Sequence, residues 1–127
     1  QGVIPYLGLG DRAAEAVDFY IRAFGGRDCG RVADEENPGR LMHAQIEING
    51  GMLMLTGCRA EGEEDAPPRG FHLQIVTHEA DQWWERALAE GCKVRMPLEQ
   101  QFWGDRWGMV EDPFGILWAV NEPAPGT

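Results

Sequence analysis

Apolar residues recur along the chain with two different periods, one typical of helices and one typical of strands. Over residues 13–24 they lie three or four positions apart and Gly25-Gly26 follows, so this pattern predicts an amphipathic helix that ends there. Over residues 41–48 apolar and polar side chains alternate, as in a strand with one buried face. Asn49-Gly50-Gly51 then predicts a tight hairpin into a return strand over residues 52–56.

The same order of elements recurs in the second half of the chain. The elements predicted there are a strand over 71–77, a helix over 79–90 and strands over 93–98, 106–110 and 116–120. With the first-half strands predicted over 3–7 and 27–32, each half runs strand, helix, strand, strand, strand. We therefore expect a single α+β domain over residues 1–127. Its two modules would span 1–57 and 70–122, joined by a polar, acidic linker over 58–69.

The alternation also assigns the strand residues to faces, because successive side chains of a strand point to opposite sides. In the third strand the residues expected beneath the helix are Met42, Ala44, Ile46 and Ile48, and those expected on the opposite face are His43, Gln45 and Glu47. In the fifth strand the corresponding sets are Phe71, Leu73 and Ile75 beneath the helix, and His72 and Gln74 opposite. Two sheets with one free face each can pair to enclose a cavity.

Charge and composition exclude several classes of partner. Eleven basic residues against 21 acidic ones give a net charge of -10, which disfavours binding to nucleic acid and to anionic membrane surfaces. The longest apolar run, over residues 52–55, is far shorter than the roughly 20 residues of a membrane-spanning helix. Three cysteines without a CxxC pair indicate reduced thiols, and we expect a cytoplasmic protein.

Three features in combination are similar to those of a known family. They are the strand at Pro5-Tyr6 that leads to Phe24-Gly25, the strand at Phe71-His72 that leads to Gly91, and the hairpin Asp112-Pro113-Phe114-Gly115. With them the chain resembles the glyoxalase/bleomycin-resistance/dioxygenase superfamily, also called vicinal oxygen chelate proteins. Segments 39–44 and 101–108 resemble its PhnB-like branch. The resemblance implies two βαβββ modules that form a half-open β-barrel, commonly in a homodimer, and suggests a bacterial origin.

Metal-dependent members of that superfamily carry ligands at four strand positions. Carried over by spacing, these positions fall on Pro5, Leu55, His72 and Ala119, of which only His72 offers a ligand atom. A catalytic divalent metal usually takes three protein ligands and keeps an open position. The resemblance therefore implies a protein without the usual catalytic metal, and we expect no other cofactor.

Several side chains are candidates for a functional site. His72 and His43 are the candidate catalytic residues, because imidazole suits proton transfer near neutral pH. The residues expected to bind a small molecule are Gln45, Gln74, Trp103, Asp105, Arg106, Trp107 and Trp118. Each has a structural alternative: histidines satisfied by neighbours, an ion pair between Asp105 and Arg106, or tryptophans that pack in the core or against a second copy. His78 is expected to be a surface residue at a helix start.

Three functions remain open from the sequence. The first is a metal-free protein that binds a small molecule in a Trp-lined concave pocket, as bleomycin-resistance proteins do, with an acidic surface that attracts cations. The second is a metal-independent lyase or isomerase that uses His72 or His43 as the base and Arg106 to stabilise an anion. The third is a metal-dependent lyase or dioxygenase with an unusual site of His43, Glu47 and His72.

Overall fold

The computed structural model describes residues 2–36, 40–57 and 69–125. The chain divides into two compact units, Gln1–Pro68 and Arg69–Thr127. The turn predicted at 37–39 and nearly all of the linker predicted at 58–69 lie outside the described residues. Among the described residues, no helix is both long enough and apolar enough to cross a bilayer.

In the described part of unit 1, one α-helix packs on one four-stranded sheet, and a short 3-10 helix at Gly10–Arg12 precedes it. Its elements are β1 (Tyr6–Gly8), α1 (Ala13–Phe24), β2 (Arg27–Ala33), β3 (Leu41–Ile48) and β4 (Gly51–Thr56). The strand order is β1-β4-β3-β2, with β1 parallel to β4 and the other pairs antiparallel. The first strand begins at Tyr6 rather than at the expected residue 3, and Val3 is 98% exposed.

Local sequence signals explain how α1 and the β3–β4 hairpin end. Helix α1 stops at Gly25, whose φ of 65° is left-handed and whose N–H donates to the Tyr20 carbonyl. In the hairpin, Asn49 and Gly50 both have positive φ, 53° and 81°. Two such residues make the turn whose twist matches that of antiparallel strands, so the predicted hairpin is confirmed.

Unit 2 repeats this arrangement. Its elements are β5 (Leu73–Val76), α2 (Ala80–Ala89), β6 (Lys93–Gln100), β7 (Arg106–Glu111) and β8 (Leu117–Glu122). The strand order is β5-β8-β7-β6, with β5 parallel to β8 and the remaining pairs antiparallel. Each unit is therefore a βαβββ module, and the α+β class is confirmed. The half-open barrel and the single domain concern how the two units are arranged, and they stay predictions.

Burial confirms most of the assignment of strand faces and corrects it at two residues. Ala44, Ile46 and Ile75 are buried on the helix side as expected. Met42 is 44% exposed because successive β2 residues pair with His43 and then Leu41, which leaves Met42 as the extra residue of a bulge. Phe71 is 40% exposed because β5 begins only at Leu73. The expectation that Met42 and Phe71 lie beneath a helix was wrong.

Candidate functional site

In unit 1, the sheet face that points away from α1 includes the side chains of Tyr6, His43, Gln45, Glu47, Met52 and Met54. We call it the helix-distal face of unit 1. Tyr6 pairs in register with Met54, which in turn pairs with Gln45, so these three form a row across β1, β4 and β3. The neighbouring residues of opposite parity, such as Leu7 and Ala44, are buried beneath the helix.

Both ring nitrogens of His43 have protein partners. The Tyr6 hydroxyl lies 2.6 Å from Nδ1, and Gln45 Oε1 lies 3.1 Å from Nε2. An amide oxygen can only accept a hydrogen bond, so Nε2 carries the proton of the neutral ring and Nδ1 accepts from Tyr6. Tyr6 is not among the candidate site residues predicted from the sequence, because only the long-range pairing of β1 and β3 with β4 brings it to His43.

Glu47, on the same strand, is held by an arginine. Its Oε1 accepts from Arg27 Nε at 3.2 Å across the β2–β3 pair. This hydrogen bond and the adjacent negative charge raise the pKa of Arg27 above its ordinary value. Glu47 is therefore engaged in an exposed ion pair within unit 1.

In unit 2, the face that points away from α2 brings together three of the predicted residues: His72, Gln74 and Trp107. We call it the helix-distal face of unit 2. Gln74 Oε1 lies 3.2 Å from His72 Nε2 and accepts from the Trp107 indole N–H at 3.2 Å. The His72 and Trp107 rings meet edge to face with centroids 6.2 Å apart. One amide oxygen thus fixes the orientation of two rings.

Arg106 points to the opposite side of β7 from Trp107, since consecutive strand residues alternate. Its guanidinium donates to Asp81 on α2 at 2.8 and 3.3 Å and to Glu122 on β8 at 3.0 Å. These contacts raise the pKa of Arg106 and lower that of Asp81. The structure thus separates Arg106 from Trp107 and gives it two carboxylate partners.

Asp105 anchors the chain that follows β8 rather than forming the ion pair with Arg106 that was one alternative for these two residues. Its Oδ1 accepts from the Ala124 backbone N–H at 2.8 Å, and its Oδ2 accepts from Asn121 Nδ2 at 3.2 Å. This role depends on contacts between residues 16 to 19 positions apart, and no local spacing signals it.

The two remaining predicted tryptophans lie in different environments. Trp118 is 3% exposed, and its indole donates to Asp112 Oδ2 at 2.9 Å, so it belongs to the core of unit 2. Trp103 is 51% exposed in the β6–β7 loop and meets Phe102 edge to face with centroids 4.9 Å apart.

A separate pocket of about 350 Å³ opens at one end of unit 2. Its lining residues are His78, Gln100, Gly104, Arg106, Glu122, Pro123, Ala124 and Pro125. His78 is exposed at the start of α2, as expected, and it also lines this pocket. Since Arg106 is already paired with two carboxylates, the pocket does not present an unpaired cation.

The described residues do not fit the metal of the metal-dependent superfamily members. Of the four positions carried over by spacing, Pro5 has no side-chain donor, and Leu55 and Ala119 are fully buried apolar residues. Leu55 lies on the helix side of its sheet, in register with Leu7. Within either unit, the described residues contain no cluster of three His, Cys, Asp or Glu side chains able to hold a metal ion.

The chain is also similar to known proteins in sequence and in structure. The family model described as Glyoxalase/Bleomycin resistance protein/Dioxygenase superfamily matches residues 8–120, and the chain belongs to that superfamily. The chain is 38% identical over 128 residues to the uncharacterized protein Mb0911c of Mycobacterium bovis, an alignment that covers 94% of this chain and 81% of that protein.

Two solved structures have the same fold. A PhnB protein from Bacillus cereus has a TM-score of 0.72 and 22% identity, covering 97% of this chain and 100% of that chain. A member of the superfamily from Sphaerobacter thermophilus has a TM-score of 0.70 and 19% identity, covering 97% of both chains. The predicted superfamily, the glyoxalase/bleomycin-resistance fold and the likeness to PhnB proteins are thus confirmed.

Proposed function

We propose that the chain is a small-molecule binding protein whose ligand rests on a helix-distal sheet face, without the superfamily's usual catalytic metal. The observation that carries the proposal is the shared acceptor in unit 2. Gln74 Oε1 holds both His72 and Trp107, while the amide nitrogen of Gln74 and Nδ1 of His72 have no partner among the described residues. The fixed indole provides an apolar surface for a ligand, and the two available polar atoms beside it can fix the orientation of that ligand.

The charge of the chain favours one kind of ligand. With a net charge of -10, the protein attracts cationic or dipolar molecules and repels anions. Arg106, the predicted anion-binding residue, is neutralised by Asp81 and Glu122. We therefore place the ligand among neutral or cationic compounds with a planar apolar part.

We also propose that the protein works as a cytoplasmic homodimer. The dimer follows the expectation drawn from the superfamily resemblance. The cytoplasmic location is supported by the state of the described cysteines, because Cys29 and Cys92 are both free thiols. Size-exclusion chromatography with light scattering on the full chain tests the dimer directly.

A fragment screen by ligand-observed NMR tests the binding function. Gln74→Leu removes the shared acceptor, and Gln82→Leu makes the same change at an exposed position on α2 as a matched control. We expect fragments with a planar apolar part to lose binding about tenfold in Gln74→Leu and to keep it in Gln82→Leu. Equal binding in both variants would place the ligand elsewhere, and a screen without hits would contradict a binding function.

A second candidate function is a metal-independent lyase or isomerase with His72 as the base. The observation that favours His72 over His43 is the difference in their partners. Because His72 Nε2 donates to Gln74, its Nδ1 keeps a lone pair without a protein donor, whereas Tyr6 occupies Nδ1 of His43. Under this candidate, His72→Ala abolishes turnover of a bound compound and leaves its affinity within about threefold of wild type.

The third candidate, a metalloenzyme built from His43, Glu47 and His72, has the least support. Glu47 is already paired with Arg27, and His43 uses both ring nitrogens. Native mass spectrometry of protein purified without chelator discriminates the candidates. One divalent ion per chain would overturn the metal-free proposal, whereas a metal-free chain with a bound small molecule would support it.

A further inference from the structure

Tyr6 is the exposed end of a hydrogen-bonded chain on the helix-distal face of unit 1. The chain runs from the Tyr6 hydroxyl to His43 at 2.6 Å and from His43 to Gln45 at 3.1 Å. It ends where Gln45 Nε2 donates to Met52 Sδ at 3.9 Å. The orientation of the Gln45 amide sets the direction of every bond in the chain, because its oxygen faces His43 and its nitrogen faces Met52.

This direction places the hydroxyl proton of Tyr6 in the hydrogen bond to His43. In the neutral ring whose Nε2 donates to Gln45, His43 Nδ1 accepts, so the hydroxyl hydrogen points at the imidazole and is not available to a ligand. The phenolic oxygen keeps its capacity to accept, and Tyr6 is 53% exposed. A ligand that offers only acceptors would have to break the hydrogen bond between Tyr6 and His43, whereas a ligand that offers a donor would add to it.

The surroundings of Tyr6 suit an apolar ligand. Met54 is its partner in register, and Met52 lies two residues earlier on the same strand face, both half-buried. Thioether side chains adapt to irregular apolar shapes and make favourable contacts with aromatic rings. At the far end of the same row, Gln45 pairs with Gly30, which has no side chain to fill the surface.

We infer that Tyr6 determines specificity at this face: it selects a small apolar or aromatic molecule that donates an N–H or O–H to the phenolic oxygen. His43 and Gln45 are positioning residues that hold the Tyr6 proton away from the ligand. The inference rests on the proposed binding function. It adds to that function that the recognised group of the ligand is a hydrogen-bond donor.

The first test concerns the direction of the chain and needs no ligand. Imidazole ¹⁵N chemical shifts, recorded at a pH where the ring is neutral, report which nitrogen carries the proton. We expect protonated Nε2 and bare Nδ1 at His43, a changed Nδ1 shift in Tyr6→Phe, and no change in the control Val3→Ala, whose side chain is 98% exposed in the same segment. A proton on Nδ1 of the neutral ring would overturn the inference.

The second test uses indole and benzofuran, which have nearly the same shape but differ in an N–H donor against an oxygen acceptor. Labelled methionine methyl groups report the contact through Met52 and Met54, which lie on this face. We expect indole to shift Met52 and Met54 with an affinity about fivefold to tenfold higher than that of benzofuran. In Tyr6→Phe the two probes should bind equally and weakly.

The outcomes separate this inference from the binding function on which it rests. Equal affinity of the two probes for the wild-type chain, or no shift of Met52 and Met54 with either probe, would overturn the role of Tyr6. The fragment screen on the Gln74 and Gln82 variants reads out unit 2 and would be unaffected by that result. A screen that finds no fragment bound to the wild-type chain would overturn the binding function itself.

Discussion

The buried carboxylate of Asp112 accepts the indole N–H of Trp118 at 2.9 Å, across the hairpin that joins β7 to β8. Its other oxygen accepts the backbone N–H groups of Phe114 and Ile116, both at 2.9 Å. One side chain therefore closes the turn and orients the largest aromatic residue of the unit 2 core. Asp112 is 3% exposed, so water cannot replace these bonds.

Asp112→Ala should lower the free energy of unfolding by about 3 kcal/mol, because it leaves several buried donors without an acceptor. Urea denaturation followed by tryptophan fluorescence measures the change. Asp11→Ala, at a carboxylate that is 86% exposed, is the matched control and should change stability by less than about 0.5 kcal/mol. Equal effects of the two substitutions would show that the hairpin does not depend on this carboxylate.

Gly25→Ala should destabilise unit 1 by about 1 kcal/mol, since Gly25 ends helix α1 in the left-handed region at a φ of 65°. Gly8→Ala is the control, because a Cβ at Gly8 meets nothing within 4 Å and its φ is not positive. Urea denaturation monitored by far-UV circular dichroism compares the two variants. A stable Gly25→Ala protein would contradict the proposed helix end.

The Arg106–Asp81 contact should be visible in the titration of Asp81. Because Arg106 lowers the pKa of this carboxyl, its NMR titration midpoint should lie below the ordinary value of 3.8. Any stability from this contact is present above the pKa of the unfolded chain and is lost as the pH falls through the lower folded pKa.

Arg106→Gln should move the Asp81 midpoint back towards 3.8, because it removes the guanidinium that stabilises the carboxylate. Arg86→Gln, at an exposed position on the same helix as Asp81, controls for the loss of a positive charge from unit 2. An unchanged midpoint in Arg106→Gln would contradict the ion pair.

The two described cysteines should differ strongly in reactivity. Burial and the nearby Asp112 charge raise the pKa of Cys92 to about 12, whereas Cys29 is half-buried on edge strand β2. In a Cys58→Ser background, a disulfide reagent at pH 8 should label one thiol in the native protein and two after denaturation. Labelling of both thiols at similar rates in the native state would contradict the buried position of Cys92.

The sequence by itself determined the elements that depend on neighbouring residues. The helix over 13–24, the strand over 41–48 and the hairpin at Asn49-Gly50 match the structure closely. Their signals are the helical and strand periods and the left-handed conformations that Gly and Asn accept, all of which act within a few positions. The repeat of the same order in both halves likewise predicted two βαβββ modules.

Tertiary structure decided which side chains meet. Tyr6 and His43 are 37 positions apart, and only the pairing of β1 with β4 and of β4 with β3 brings them together. The bulge at Met42 follows from strand register, which no local pattern specifies. The pairing of Arg106 with Asp81 likewise depends on a contact between residues 25 positions apart. The sequence therefore defined the helix-distal faces, while long-range register selected the hydrogen-bonded groups on them.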